Sequence, residues 1–218
     1  MPRTAAPGLT KDLIRDVALA VIDEEGLPAL SMRKLASRLG VQAASLYSHF
    51  ANKGAVLDAV ANLITRKVDT SGFEEGWQRG LLVWGRSYLA ALRAHPNAAP
   101  VVAAGTGERA DFLAMANAVH GGLLRHGWPP RHATMVAASV KYVVMGAATT
   151  PFGSGFADDT TVYLGRYPHL VQAHMIAQHA EEIDADSFEL ALQSLVAGLQ
   201  AVYAEVGGLR PKPDLTNR

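Results

Sequence analysis

Residues 31–53, SMRKLASRLGVQAASLYSHFANK, decide the fold. Leu35 and Leu39 share one face of a helix predicted over 32–39, and Leu46 and Phe50 share the inner face of the segment that follows. Ala36 is small enough to let two helices cross closely, and Gly40 stands where the chain must turn sharply. Ser31 is placed to cap the first of these helices, and Asn52 to cap another that starts at Lys53. The stretch holds Arg33, Lys34, Arg38 and Lys53 but no Asp or Glu, a local charge of +4 in 23 residues. Two short crossing helices with a one-signed surface have the form and the electrostatic footprint of a helix-turn-helix that meets phosphates. Lys53 opposes the macrodipole of its own helix. That placement suits a lysine which, with the free amides beside it, faces a phosphate; it equally suits a surface lysine that tolerates a small penalty.

The pattern is helical outward from this stretch as well. Leu13, Val17, Val21 and Ile22 mark a helix over 11–25 closed by Gly26, and a short third helix is expected over 42–49, then a fourth from 53 to about 68. A break at 69–72 marks the junction between a small domain, 1–68, with its helix-turn-helix at about 32–50, and a larger one, 73–208. In the larger domain helices are predicted over 74–94, 98–104, 108–126, 131–149, 168–180 and 186–206, with a loop rich in Gly and Asp after Pro151. No segment alternates with period two between turn signals, so the fold class is all-α, an N-terminal three-helix unit with a helix-turn-helix plus a C-terminal helical bundle.

Composition narrows the classes. The 218 residues carry 20 Lys+Arg and 20 Asp+Glu, so no global field drives non-specific coating of nucleic acid, although a local basic face remains open. Cysteine is absent, which removes disulfides and thiolate metal sites. The start lacks a signal-peptide core, and the longest apolar stretch, around 135–148, is broken by Lys141 and too short to span a bilayer, so a soluble cytoplasmic protein is expected.

Residues 9–63 resemble the DNA-binding domain of the TetR family. The matching residues are Gly26, Leu30, Ser31, Arg33 and Ala36, then Leu39-Gly40-Val41, then Leu46-Tyr47-x-His49-Phe50-x-Asn52-Lys53, then Leu57. The resemblance implies a recognition helix in the major groove that carries Ala43, Ala44, Ser45, Tyr47, Ser48 and His49. It implies phosphate contacts from Ser31, Tyr47 and Lys53, and a base contact from Arg33. Because Ala43, Ala44, Ser45 and Ser48 are small, readout is expected to rest on Arg33, Gln42, thymine-methyl contacts and DNA shape.

Near the C-terminus Phe188, Leu192, Leu195, Leu199, Val202 and Val206 recur at alternating steps of four and three, an a/d seam, and the helix over 131–149 is apolar nearly all round. The expected dimer contacts are Val140, Ala147, Leu192, Leu195, Leu199 and Val202; two core helices of a monomer would show the same pattern. The family resemblance favours a homodimer, whose twofold symmetry calls for a palindromic operator.

Trp77, Trp84 and Tyr88, with Phe112, Met115, Val119, Met135, Ser139, Tyr142, Thr106 and His174, make a candidate site for a small, mostly hydrophobic effector; plain core is the other reading of such stripes. The larger domain also faintly resembles the tetracycline-repressor branch, at Trp77-Gln78, Gly105-Thr106, His126-Gly127-Trp128 and Ser194-Leu195-x-x-Gly198. That branch holds a magnesium–tetracycline chelate partly through two histidines and a glutamate. Ala103, Tyr142 and Thr150 stand at the matching positions and suit magnesium poorly, so no such sensor and no metal or other cofactor is expected.

Two further signals are weak. Gly105-Thr106-Gly107 with Ala110 after an apolar run imitates a dinucleotide fingerprint but lacks its βαβ setting and its acidic residue. His169, His174 and His179 recur every five residues, a step that does not keep one helix face. With no paired acids or nucleophile, no enzyme is expected. The resulting expectation is a repressor, homodimeric on double-stranded operator DNA, in which an effector among Trp84, Tyr88, Val119 and Tyr142 shifts the helix near Ile64. A helical ligand-binding protein or enzyme with a retained helix-turn-helix, or an activator, are the alternatives.

Overall fold

The computed structural model describes residues 8–104, 109–150, 152–170 and 172–207. Those residues form ten α-helices joined by short 3-10 turns, without a strand among them. The chain divides into two compact units. One runs up to Lys67 and takes in Ala91–Ala114; the other takes Val68–Ala90 and the chain from Met115 onward.

In the first unit α1 spans Lys11–Glu25. The Thr10 hydroxyl caps it by accepting from the Leu13 amide at 3.1 Å, and Gly26, at φ 84°, ends it. Ile14, Ala18, Val21 and Ile22 form its buried stripe. α2 (Met32–Leu39) packs on α1, and α3 (Ala43–Tyr47) packs on α2. α4 (Lys53–Thr65) crosses α1 and buries Val56, Val60, Ala61 and Ile64. α6 (Ala99–Ala103) lies on α4 and buries Val101 and Val102. The apolar run that imitated a dinucleotide strand is therefore this helix, and its glycines, 105 and 107, lie outside the described residues.

Arg109 is buried and ties the segment after α6 to α4. Its Nε donates to Asp58 at 2.8 Å and its Nη1 to the Val101 carbonyl at 2.6 Å. His95 Nδ1 lies 2.8 Å from Asp23 and the Asn97 amide donates to the Asp23 carbonyl at 3.0 Å, so the chain before α6 is tied to the end of α1. None of these partners adjoins the other in sequence, which is why the expected domain boundaries, 1–68 and 73–208, did not include Ala91–Ala114 in the first unit.

The second unit contains most of α5 (Trp77–Arg93) and α7 (Ala110–Arg125), together with α8 (Pro130–Thr149), α9 (Ala173–Gln178) and α10 (Ala180–Gly207). An aromatic cluster closes one part of its core. The Trp77 and Trp128 rings meet edge to face at 5.2 Å, Tyr203 lies 5.1 Å from Trp128, and its hydroxyl donates to the His126 carbonyl at 2.7 Å. Trp77, grouped with Trp84 in the sequence, is thus a core residue of this cluster.

α10 starts at Ala180, six residues before the expected 186, and α9 is correspondingly short. Glu181 and Glu182 fall in the first turn of α10, where negative charge complements the helix N-terminus. Arg86 on α5 holds Glu189 on α10 through two hydrogen bonds, one of them at 3.0 Å. Hydrogen bonds from Arg86 and then Gln193 draw the Glu189 carboxyl from 4.5 down to about 2. A depressed carboxylate adds stability above its unfolded value and loses it as pH falls toward the folded one. Both side chains are more than a third exposed, so screening limits the pair to about 1 kcal/mol or less. The melting-temperature gap between wild type and E189Q should narrow as pH drops from about 5 to about 3. A gap that stays constant over that range would rule the pair out as the source.

Candidate nucleic-acid interface and effector site

The helix-turn-helix is built by its caps. Ser31 Oγ accepts from the Lys34 amide at 3.1 Å and starts α2. Gly40, at φ 66°, ends it in the left-handed region, and the Val41 amide returns to the Ala36 carbonyl at 3.0 Å. Leu35 and Ala36 are buried on α2, and Leu46 and Phe50 beyond the turn, so the crossing expected from the sequence forms. α3 is shorter than the expected 42–49. The Ser48 hydroxyl donates to the Ser45 carbonyl at 2.7 Å, and the following turn, closed by the Phe50 amide on the Leu46 carbonyl at 2.9 Å, brings Phe50 inward. Asn52 then caps α4 by accepting from the Ala55 amide at 2.9 Å.

Pinned from within by Leu46 and Phe50, α3 and its flanks turn a row outward. Gln42, Ala44, Ser45, Tyr47 and Ser48 are exposed, and Ala43 and His49 are half-buried. Tyr47 is 53% exposed although its ring is large and apolar. Ser31 and Arg33 are exposed and Lys53 is half-buried. The outward face is thus a row of small residues with one protruding tyrosine. Two of the four cations behave differently from the other two. Lys34 Nζ lies 2.8 Å from Glu25, and Arg38 Nη2 lies 2.6 Å from Glu24 and 2.7 Å from Glu25. Hydrogen bonds from Lys34 and then Arg38 hold the Glu25 carboxyl below its usual range. The charge of +4 read from residues 31–53 alone is therefore halved by two glutamates that the same window leaves out.

The expected effector residues do not all come together. Trp84 and Tyr88 are buried on α5 with ring centroids 6.2 Å apart. Trp84 Nε1 is buried without a hydrogen-bond partner among the described residues. Met115 and Val119 are buried on α7, and Phe112, counted with the first unit, is half-buried. Met135 and Tyr142 do not join Trp84: they are 53% and 74% exposed on the outer face of α8, and Ser139, half-buried, hydrogen-bonds its own helix at the Met135 carbonyl. The sequence cannot reveal this, because an all-apolar helix gives no sign of which side faces its own core. Thr106 lies outside the described residues.

The three histidines are not one helical series. His169 precedes α9, and His169 and His179 line a cleft of about 530 Å³ with Met175, Glu182, Ile183 and Asp186. His174 is half-buried with Nδ1 unpartnered among the described residues. Among those residues no group of three or more His, Asp or Glu is arranged to hold a metal ion. No helix of theirs is long and apolar enough to cross a membrane.

Two of the expected dimer contacts face inward. Val140 and Leu192 are fully buried, and a Cβ placed on Gly85 would lie 3.0 Å from both Leu192 methyls and 3.4 Å from Val140 Cγ1. The seam on α10 is thus mainly core, with Phe188 and Val206 buried, Leu195 and Leu199 half-buried and Val202 exposed. Ala147 is half-buried on α8. A second stripe on α10, Ala191, Ser194, Gly198 and Ala201, is exposed beside Leu190, itself 70% exposed. Between it and α8 runs a groove of about 290 Å³ that includes Tyr142, Gly146, Phe152 and Ala191.

Comparison with known proteins agrees with this geometry. Residues 14–60 match the family of bacterial regulatory proteins, tetR family, and residues 72–203 match the tetracyclin repressor-like C-terminal domain. The tetracycline repressor class C of Escherichia coli is 29% identical over 201 residues, 88% of this chain and 91% of that protein. The class A repressor from transposon 1721 is 35% identical over 60% of this chain, a match that spans 61% of that relative. Among solved structures, ActR of Streptomyces coelicolor in complex with actinorhodin superimposes with a TM-score of 0.71 at 27% identity, covering 90% of this chain and 97% of that one.

Proposed function

Because the chain belongs to the tetR family of bacterial regulatory proteins, transcription regulators with a DNA-binding and a ligand-binding part, we propose that it is a repressor. It binds a palindromic operator as a homodimer and leaves it when a small apolar effector binds. The observation that carries this reading is the outward row on α3, held rigid from beneath by Leu46 and Phe50 and bounded by the Ser31, Gly40 and Asn52 caps. Ser31, Tyr47 and Lys53 meet phosphates, Arg33 reaches a base, and Gln42, Ala43, Ala44, Ser45, Ser48 and His49 face the groove.

The outer faces of α8 and α10 supply the dimer contact. Met135, Tyr142, Leu190 and Val202 expose apolar surface beside a stripe of small residues, a combination that calls for a partner. A homodimer on a palindromic operator reads two half-sites about 34–36 Å apart, one turn of DNA. The effector site is built around Trp84 and Tyr88. An apolar, partly aromatic ligand with one hydrogen-bond acceptor satisfies the Trp84 indole N–H, which is buried without a partner among the described residues. Its binding weakens operator affinity by about 5- to 150-fold.

The test is a gel shift with DNA from upstream of the chain's own gene, with and without candidate compounds, alongside quenching of tryptophan fluorescence. A salt-sensitive shift released by a compound that quenches wild type more than W84F supports the reading. No shift even at low salt, or compounds that bind without changing the shift, would end it.

Tetracycline is not carried over from the relatives. Ala103 and Thr150 offer no carboxylate or imidazole, and Tyr142 is 74% exposed. Tetracycline with magnesium, at concentrations of order 1 µM, should leave the DNA complex intact, since each missing metal ligand costs affinity. Release under those conditions refutes this.

A further inference from the structure

We propose that Glu24 and Glu25 act as restraints on non-specific DNA binding: they hold Lys34 and Arg38 in ion pairs on the helix-turn-helix, leaving Arg33 and Lys53 as its cations without an ion pair among the described residues. The inference rests on the DNA-binding reading above and adds two specificity residues to it. Both lie on α1, outside the recognition unit itself.

The geometry separates the four cations into two classes. Lys34 and Arg38 stand one turn apart on α2, and both are bonded to the last turn of α1 at 2.6–2.8 Å. No ion pair among the described residues holds Arg33 or Lys53. The placement is unfavourable without the pairing. Glu24 and Glu25 end α1, where no basic residue offsets them, and Lys34 lies in the first turn of α2, where none of the residues is acidic. Glu24, Glu25 and Lys34 each stand at the wrong end of their own helix and find compensation across the helix crossing, while Arg38, in the last turn of α2, stands at the end that favours a cation. Arg38 is held by two carboxylates at once, so loss of either leaves it paired.

The consequence follows from how cations bind DNA. A free cation near the duplex neutralises a phosphate and releases counterions whatever the sequence, so it strengthens every register alike. A cation already paired with a glutamate adds little. The competing sites in a genome far outnumber the operator, so a lower non-specific affinity frees more dimer for it. Arg33, which reads a base, keeps its charge available.

The experiment measures binding of the full chain to a mixed-sequence 24-base-pair duplex, and to the best duplex selected from a randomised library, between about 50 and 300 mM salt. E24Q/E25Q should bind the mixed duplex roughly tenfold more tightly at about 0.1 M salt, with a log–log salt slope steeper by about 1–2 per protomer. Its preference for the selected duplex should fall. E181Q/E182Q, in the other compact unit, removes the same net charge and should change neither quantity. The quadruple variant E24Q/E25Q/K34Q/R38Q should return the slope to that of wild type, since the released cations are gone.

An unchanged slope in a folded E24Q/E25Q overturns the inference, as does an equal rise in E181Q/E182Q or a quadruple variant that keeps the raised affinity. Should E24Q/E25Q fail to fold, E25Q alone, which frees Lys34 while Glu24 keeps Arg38, gives the same reading with a smaller step, and no step overturns it. A wild-type chain that binds neither duplex at low salt overturns the DNA-binding reading and this inference with it.

Discussion

An R33A variant should keep its fold and lose most of its base discrimination at one position of each half-site. Arg33 is exposed on α2 and enters no ion pair among the described residues, so its removal should move stability by less than about 0.5 kcal/mol. The effect on the operator is larger. The recognition row offers Ala43, Ala44, Ser45 and Ser48, whose short side chains cannot make bidentate contacts to a base edge. Arginine can, and a good bidentate pair contributes about 1–3 kcal/mol, which is about 5- to 150-fold per half-site. Selection from a randomised duplex library, run for wild type and R33A, gives the answer directly. Binding should weaken more on the selected site than on mixed sequence, and the preference should flatten at one position. An identical preference matrix would show that Arg33 reads no base, leaving Gln42, methyl contacts and shape to carry the specificity.

Gly121→Ala and Gly122→Ala, neighbours on α7, should change stability in opposite directions. Alanine is favoured over glycine inside a helix by about 1 kcal/mol, so propensity alone raises both. At Gly122 the added Cβ would stand 2.5 Å from both Cδ1 and Cγ of Phe73, closer than real contacts allow. Gly80 on α5 faces the same ring, with a Cβ there 2.2 Å from Cδ1. Phe73 is 1% exposed and wedged between glycines of two helices, so the ring has no free direction in which to retreat. Overpacking of this kind costs about 1–3 kcal/mol and sometimes more, which outweighs propensity. G122A and G80A should melt about 2–8 °C lower, from a net cost of up to about 2 kcal/mol at about 2–4 °C per kcal/mol for this chain length. At Gly121 the nearest atom is the mobile tip of Arg125 at 3.3 Å, so G121A should melt at the wild-type temperature or slightly above. Equal shifts in G121A and G122A would show that the Phe73 wedge yields easily.

The first four helices were legible because their signals are local. Caps at Ser31 and Asn52 and stops at Gly26 and Gly40 act within four residues of the groups they satisfy, and the structure uses each of them. The family resemblance was legible for the same reason, since its motif is the helix-turn-helix itself. The effector residues were less so. Trp84 and Tyr88 come together on one helix at a spacing of four, as periodicity says, whereas the Met and aromatic stripe of Met135 and Tyr142 lies on a helix apolar nearly all round, where periodicity does not say which face is inner.

By itself the sequence determined an all-helical chain, the position of the helix-turn-helix, and the small outward row that limits how it can read bases. Those depend on neighbours in the chain. Only the tertiary structure decided which face of α8 and α10 is core, putting Val140 and Leu192 inside and Tyr142 and Leu190 outside. It also halved the apparent charge of the helix-turn-helix, through Glu24 and Glu25 on another helix. The physical reason is common to both. A helix has one sequence but several sides, and what each side meets, apolar neighbour, counter-charge or solvent, is set by elements distant along the chain.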